Sequence, residues 1–135
     1  MAKKEQKEQP GLTLAVVPGR WAVCRLDPQA GMPDWALGGD FFSITRTTDE
    51  LSIVCSEAGV PEGVQGERGW AGLKVEGPLD FSLTGVLASL AQPLAEAGIS
   101  IFAVSTYDTD YLLVKAGALE RAVAVLAQAG FEIAV

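Results

Sequence analysis

The chain has 135 residues, a net charge of −7 and a pI near 4.5, which argues against binding to nucleic acid backbones or anionic membranes. Apolar residues make up 49% of the chain, enough for a packed core. We find no apolar run of membrane-spanning length and no signal-peptide pattern, so we expect a cytoplasmic protein.

The N-terminal segment contains two predicted strands separated by a turn. Residues 1–10 are mainly Lys, Glu and Gln without apolar partners, which predicts a disordered, solvated tail. Residues 12–17 form an apolar run that we expect Pro18 and Gly19 to end. Residues 21–27 are the second predicted strand.

A predicted hairpin follows, between two segments rich in helix-breaking residues. Residues 29–40 leave room for a single helical turn. Residues 41–47 and 50–56 have the composition of paired strands. Residues 58–69 contain several glycines and a proline, so we expect no real helix there.

The C-terminal half alternates between strand and helix patterns. Thr84 is the predicted N-cap of the first helix, and Gly130 is the predicted left-handed end of the second. The order βαββαβ predicts an α+β, ferredoxin-like fold with two helices on one face of an antiparallel sheet. The elements are a strand at 70–76, a helix carrying Val86, Leu87, Leu90 and Leu94, strands at 99–106 and 110–115, a helix carrying Leu119, Ala122, Val123 and Leu126, and a strand at 131–135.

The two halves of the chain also resemble each other. Residues 21–28 match 70–77 in residue type at an offset of 49, and residues 42–54 match 102–114 at an offset of 60. Between the two matches the offset grows from 49 to 60 residues, and these 11 additional residues correspond to about three helical turns. The repeat therefore predicts two subdomains of one plan, in which the first has reduced helices and must pack on the second.

We place the predicted subdomains at 11–66 and 67–135, after the tail at 1–10. The strand at 12–17 has no counterpart before Trp70. It is a candidate for the missing fourth strand of the first sheet.

The stretch FFSITRTTDELSIVCSE (41–57) and the segments EGPLDFSLTG (76–85), AGIS (97–100) and STYDTDY (105–111) resemble tandem ACT-domain proteins. The chain is similar over residues 12–135 to the CASTOR-like arginine sensors and the regulatory tails of lysine-sensitive aspartokinases. This resemblance implies a non-enzymatic sensor that holds a small ligand, typically an amino acid, at the junction of ACT units. It also implies pairing of ACT sheets side by side, and we expect a homodimer through sheet edges.

The residues themselves favour binding over catalysis. The chain has no histidine, the commonest general base and metal ligand. Cys24 and Cys55 lie in predicted strands, where we expect buried thiols in a reducing compartment. Asp108 and Asp110 lie at a predicted hairpin tip. We expect solvent to surround both carboxylates there, so they lack the buried environment that acid–base catalysis requires. We therefore predict no catalytic residue, no metal site and no cofactor.

The loop at 76–84 runs into a predicted helix start, where backbone N–H groups and the helix dipole attract a carboxylate. An amino acid's ammonium would lie near Asp80 or Glu76 and the carbonyl of Ile99. On the first hairpin, the guanidinium of Arg46 is a second candidate for the carboxylate. The predicted ligand-binding residues are Glu76, Asp80, Phe81, Ser82, Leu83, Thr84, Gly85, Ile99, Ser100, Thr45 and Arg46.

Each of these residues has a purely structural alternative. Ser82 and Thr84 are also typical helix caps, Asp80 is typical of a turn, and Arg46 suits a solvated or cross-strand-paired position. The alternative function is a structural or partner-binding adaptor with a vestigial pocket.

Overall fold

In the computed structural model, the first strand, β1 (Thr13–Leu26), runs through Pro18 and Gly19. The predicted turn at these residues is therefore wrong. Gly19 has a φ of +112°, a backbone conformation that favours glycine, so the chain accommodates an irregularity there and then continues as a strand. Pro and Gly within a strand pattern thus mark a local irregularity here.

The structure describes residues 12–77, 79 and 84–134. By packing, the chain divides into two units, Pro18–Trp70 and a second unit that joins the described residues up to Val17 with those from Ala71 onward. Two long strands, β1 and β4 (Gly66–Val75), contribute residues to both units.

The unit Pro18–Trp70 contains strands in the order β2-β3-β1-β4, with β2 at Ser43–Arg46 and β3 at Leu51–Ser56. All of its residues are described, and they form no α-helix; single 3-10 turns lie at Asp34–Ala36 and Glu57–Gly59. One buried cluster forms its core, comprising Ala22, Cys24, Ala36, Leu51, Ile53 and Cys55.

Within the described residues, the second unit carries the two α-helices that the periodicity predicts. They are α1 (Val86–Glu96) and α2 (Leu119–Gln128), and they cover the side of the strands that carries alternate apolar residues of β4 and β6. The remaining strands are β5 (Phe102–Ser105), β6 (Asp110–Lys115) and β7 (Glu132–Ala134). The buried core comprises Leu14, Leu73, Val75, Val86, Leu90, Leu94, Ile99, Leu112, Val114, Ala122, Leu126 and Phe131.

The strand order of this unit, β7-β1-β4-β6-β5, differs from the predicted ferredoxin-like plan by one strand, because β1 lies between β7 and β4. The last strand pairs in parallel with the start of β1, so that Thr13 faces Glu132 and Leu14 faces Ile133. Leu14 is fully buried in the helix-covered core. The expectation that residues 12–17 supply the fourth strand of the first sheet is therefore wrong. Their apolar side chains pack under α1 and α2 instead.

The two hairpins share one register. In β2–β3, Ser43 pairs with Val54, and in β5–β6, Phe102 pairs with Leu113, so equivalent positions are 59 residues apart. The sequence match at an offset of 60 is one residue too long. Because side chains alternate between the faces of a sheet, a one-residue error assigns each side chain to the wrong face.

Cys24 and Cys55 lie on the neighbouring strands β1 and β3, and both are buried free thiols that share a hydrogen bond. Burial raises the pKa of both thiols, and that of Cys55 reaches about 11. The thiolate is the reactive form of cysteine, so at neutral pH both groups are held in their unreactive state.

We therefore expect Ellman's reagent at pH 8 to label both thiols slowly in the folded protein and rapidly in urea. The folded pKa of Cys55 lies above its ordinary value of 9.0, so its contribution to stability is complete below pH 9 and is lost as the pH rises towards 11. Measuring urea midpoints across this pH range, with Cys55→Ala as the control, isolates this contribution. Rapid labelling of the folded protein at pH 8 would contradict the prediction.

Candidate functional site

The candidate loop leaves the end of β4 at Glu76 and enters α1 after Gly85. The backbone N–H of Glu76 donates to the carbonyl oxygen of Thr13 at 2.8 Å, and the Glu76 side chain is exposed. The first loop residue is thus fixed through its backbone, while its carboxylate lies in solvent. Four predicted ligand residues lie outside the described residues: Asp80, Phe81, Ser82 and Leu83.

The loop is bound to the turn between β5 and β6. The backbone N–H of Leu79 donates to the Asp108 carbonyl oxygen at 2.6 Å. The Thr109 hydroxyl donates to the Val75 carbonyl oxygen, also at 2.6 Å, and Thr109 is only 5% exposed. Between these two bonds, a Cβ atom at Gly77 would lie 3.0 Å from the Asp108 oxygen and 3.2 Å from the Thr109 Cβ.

Sequence reasoning missed Thr109, because we treated this hairpin tip as solvated. The turn is closed by Thr106, whose backbone N–H donates to the Thr109 carbonyl oxygen at 2.8 Å and whose hydroxyl oxygen accepts from the Thr109 N–H at 3.2 Å. In the unit Pro18–Trp70, Thr47 closes its hairpin with Glu50 through a 2.9 Å backbone bond. Both hairpin turns begin with a threonine, and this shared residue is the feature of the sequence that could have indicated a closed turn.

The start of α1 differs from the prediction. Gly85, and not Thr84, is at the N-cap, with a φ of 79° and no capping side-chain hydrogen bond. The predicted N-cap at Thr84 is therefore wrong, because the left-handed Gly85 turns the chain into the helix. The first turn of α1 also contains no acidic residue. The positive end of the helix dipole therefore has no carboxylate from that turn beside it.

Ile99 and Ser100 lie at the far end of α1. The Ile99 N–H donates to the Leu94 carbonyl oxygen at 2.9 Å, and the Ile99 side chain is buried in the core. Because α1 has 11 residues, its length of about 16 Å separates these two residues from Gly85. The structure does not bring them together with the loop.

Thr45 and Arg46 belong to the other unit, Pro18–Trp70. Thr45 pairs with Ser52 across the β2–β3 hairpin. The guanidinium of Arg46 donates to the carbonyl oxygen of Pro28 and, at 2.8 Å, to that of Ala30. These bonds give Arg46 a structural role in holding the 28–30 segment.

One of the two hairpin carboxylates also has a structural partner. Asp110 accepts a 2.6 Å hydrogen bond from the Ser105 hydroxyl. Over residues 12–77, 79 and 84–134, no three His, Cys, Asp or Glu side chains group as a metal site would require. Within that same part of the chain, neither helix has the length and apolar character needed to cross a bilayer.

The fold first defines the class of protein: an α+β domain in which two helices cover one side of a mostly antiparallel sheet. The family model for the ACT domain matches residues 65–128, which include the candidate loop, both helices and the β5–β6 hairpin. Residues 65–128, slightly less than half of the chain, are therefore similar to ACT domains. A second family model, for an N-terminal domain, matches residues 19–63.

Two curated proteins are similar to the chain. It is 36% identical over 87 residues to the human protein CASTOR3P, covering 55% of this chain and 53% of that protein. It is 30% identical over 99 residues to the cytosolic arginine sensor for mTORC1 subunit 1 of Bos taurus, covering 65% of this chain and 30% of that protein. The chain therefore spans about half or less of the length of these relatives.

Solved structures extend the similarity over most of the chain. The crystal structure of a protein from Agobacterium tumefaciens has a TM-score of 0.87 and 43% identity, covering 93% of each chain. The ligand-free regulatory subunit of aspartate kinase from Thermus thermophilus has a TM-score of 0.57 and 16% identity, covering 86% of this chain and 96% of that chain. The second similarity concerns the fold alone.

Proposed function

We propose that the chain is a non-enzymatic, cytoplasmic regulatory protein that binds a free amino acid at the loop between β4 and α1. The observation that carries this proposal is a loop that is held through its backbone at Glu76 and Leu79 and leads to the N-terminus of α1, where the N-cap is Gly85. The name of one similar protein supports it, because that protein is a cytosolic arginine sensor.

A zwitterion matches the chemistry of this loop. Its carboxylate would accept from backbone N–H groups at 82–85, at the positive end of α1. Its ammonium would lie beside the carboxylates of Asp80 and Glu76. Because Ile99 and Ser100 lie at the other end of α1 and Arg46 is held by carbonyl groups, the proposal concentrates on residues 76–85.

We further propose that the two units are two copies of one ACT plan. The shared register of the β2–β3 and β5–β6 hairpins supports this, as does the position of the 3-10 turns after β3 and β6. In the second copy the turn Ala116–Ala118 continues directly into α2. In the first copy Pro61 follows the turn Glu57–Gly59, and proline interrupts a helix.

A homodimer through sheet edges is the expected assembly. β5 is the edge strand of its unit, and edge strands offer backbone N–H and C=O groups to another chain. Sedimentation at several protein concentrations measures this association directly.

Thermal unfolding in the presence of each of the twenty amino acids tests the sensor function, with L-arginine as the first ligand to examine. A ligand at 100 times its Kd adds about 2.7 kcal/mol to the stability, so a genuine ligand raises Tm clearly. We expect Asp80→Ala to remove that shift without changing the Tm of the free protein. Asp40→Ala, at an exposed carboxylate in the other unit, is the matched control and should keep the full shift.

The same experiment separates the two candidate functions. A flat response to all twenty amino acids would contradict the sensor and favour the adaptor. The exposed apolar side chains of Met32, Leu37, Phe42 and Tyr107 are the feature that suits an adaptor. Unfolding of Asp80→Ala would instead assign Asp80 to turn stability.

A further inference from the structure

We infer that Thr109 is a positioning residue, which holds the start of the loop through the backbone of Val75 at the end of β4. The inference rests on the proposed function for its consequence in ligand binding. Thr109 acts through the backbone at Val75 and, with its neighbour Asp108, at Leu79.

The two contacts bracket the start of the loop. The Thr109 hydroxyl bonds the carbonyl oxygen of Val75, the last residue of β4. The Asp108 carbonyl oxygen accepts from the N–H of Leu79, four residues further along. Two consecutive turn residues thus hold both ends of a short segment, and each bond is 2.6 Å long.

Gly77 lies within the bracketed segment and lets it approach the turn. A Cβ there would lie 3.0 Å from the Asp108 oxygen, 3.1 Å from the Leu79 nitrogen and 3.2 Å from the Thr109 Cβ. These distances are tighter than ordinary carbon contacts, so any side chain would push the loop away from the turn. The close contact and the two hydrogen bonds therefore depend on one another.

The other hairpin shows that the hydroxyl is not needed to close the turn. Thr47 and Glu50 close the β2–β3 turn with the same backbone bond that joins Thr106 and Thr109. Glu50 occupies the position equivalent to Thr109, and it has no hydroxyl. The additional feature at Thr109 is the hydrogen bond from its hydroxyl to the Val75 carbonyl oxygen. The hydroxyl therefore holds the start of the loop and is not needed to close the turn.

A loop held in one conformation loses less entropy when a ligand binds. Removing the hydroxyl should therefore weaken ligand binding. A buried hydrogen bond contributes about a fivefold change in an equilibrium constant, which sets the expected size of the effect.

The test compares Thr109→Val, which keeps the shape but removes the hydroxyl, with Thr109→Ser, which keeps the hydroxyl. Thr48→Val, at an exposed threonine in the other unit, is the matched control. In the ligand-free protein, hydrogen–deuterium exchange of a peptide covering 76–85 should be about fivefold faster in Thr109→Val than in the wild type. Thr109→Ser and Thr48→Val should keep the wild-type rate.

The second readout is the Kd for L-arginine, or for whichever amino acid raises Tm, measured by titration calorimetry. We expect Thr109→Val to raise this Kd about fivefold and Thr109→Ser to restore it. Equal exchange at 76–85 in Thr109→Val and the wild type would overturn the inference. Faster exchange spread equally over α2 and β6 would also overturn it, because the hydroxyl would then stabilise only the fold. If the wild type binds no amino acid, the sensor proposal fails, while the exchange rates still decide the role of Thr109.

Discussion

Replacing Leu90 with alanine is expected to lower the free energy of unfolding by about 2–5 kcal/mol. Leu90 is 0% exposed and lies in the middle of α1, where it belongs to the same buried cluster as Leu14, Leu73 and Leu126. The substitution removes apolar area and leaves a cavity that elements on both sides cannot easily fill. Urea unfolding followed by circular dichroism at 222 nm measures the loss, because both α-helices belong to this unit.

Leu87→Ala is the matched control, since Leu87 lies on the same helix and is only partly buried. The helix propensity of the two variants is identical, so any difference between them comes from packing. We expect the control to lose clearly less stability than Leu90→Ala. Equal losses would contradict the placement of Leu90 at the centre of the core.

The two helices were predictable because their apolar spacing is determined locally. Leu90 and Leu94 recur at the period of a helix that buries one face, and the structure buries both of them. Gly130, with a φ of +108°, follows α2 as the C-cap pattern predicts. Strand β6 is likewise found at its predicted bounds, Asp110–Lys115.

The strand order was not predictable, because it depends on contacts between distant residues. Nothing near Leu14 in the sequence indicates that β7, more than a hundred residues later, pairs beside it in parallel. An apolar run of this length fits either sheet, and burial under the helices decides between them. The same limit explains the one-residue error in the repeat, since residue types tolerate a slip that backbone pairing does not.

The candidate site was predictable only in part. The loop at 76–85 is predicted from its position before a helix start and lies within the residues that the ACT-domain model matches, and its role in ligand binding stays a prediction. Ile99 was included by a topological expectation that α1 contradicts, because the helix carries the chain to the other end of the unit. Thr109 was missed because a threonine in a polar turn gives no sign, in sequence, of a buried bond to a residue 34 positions away.

Gly66→Ala is expected to destabilise the unit Pro18–Trp70 by about 1–3 kcal/mol. A Cβ at this first residue of β4 would lie 2.6 Å from the Val23 carbonyl oxygen and 2.9 Å from the Cys24 Cα. Both are backbone atoms, so no side-chain rotation relieves the contact and the strands must move apart. The bond from the Arg25 N–H to the Gln65 carbonyl oxygen, 2.9 Å long, lies directly beside this contact and would lengthen with it.

Gly31→Ala is the control for this effect, because a Cβ at Gly31 meets nothing within 4 Å. Alanine there should leave the stability unchanged or raise it by about 0.4–1 kcal/mol, since it restricts the unfolded chain. All three tryptophans, Trp21, Trp35 and Trp70, lie in the unit Pro18–Trp70, so tryptophan fluorescence during urea unfolding reports on this unit. Coincident fluorescence midpoints for the two variants would contradict the close approach of β1 and β4 at Gly66, whereas a lower midpoint for Gly66→Ala alone would establish that glycine is required there by space and not by backbone conformation.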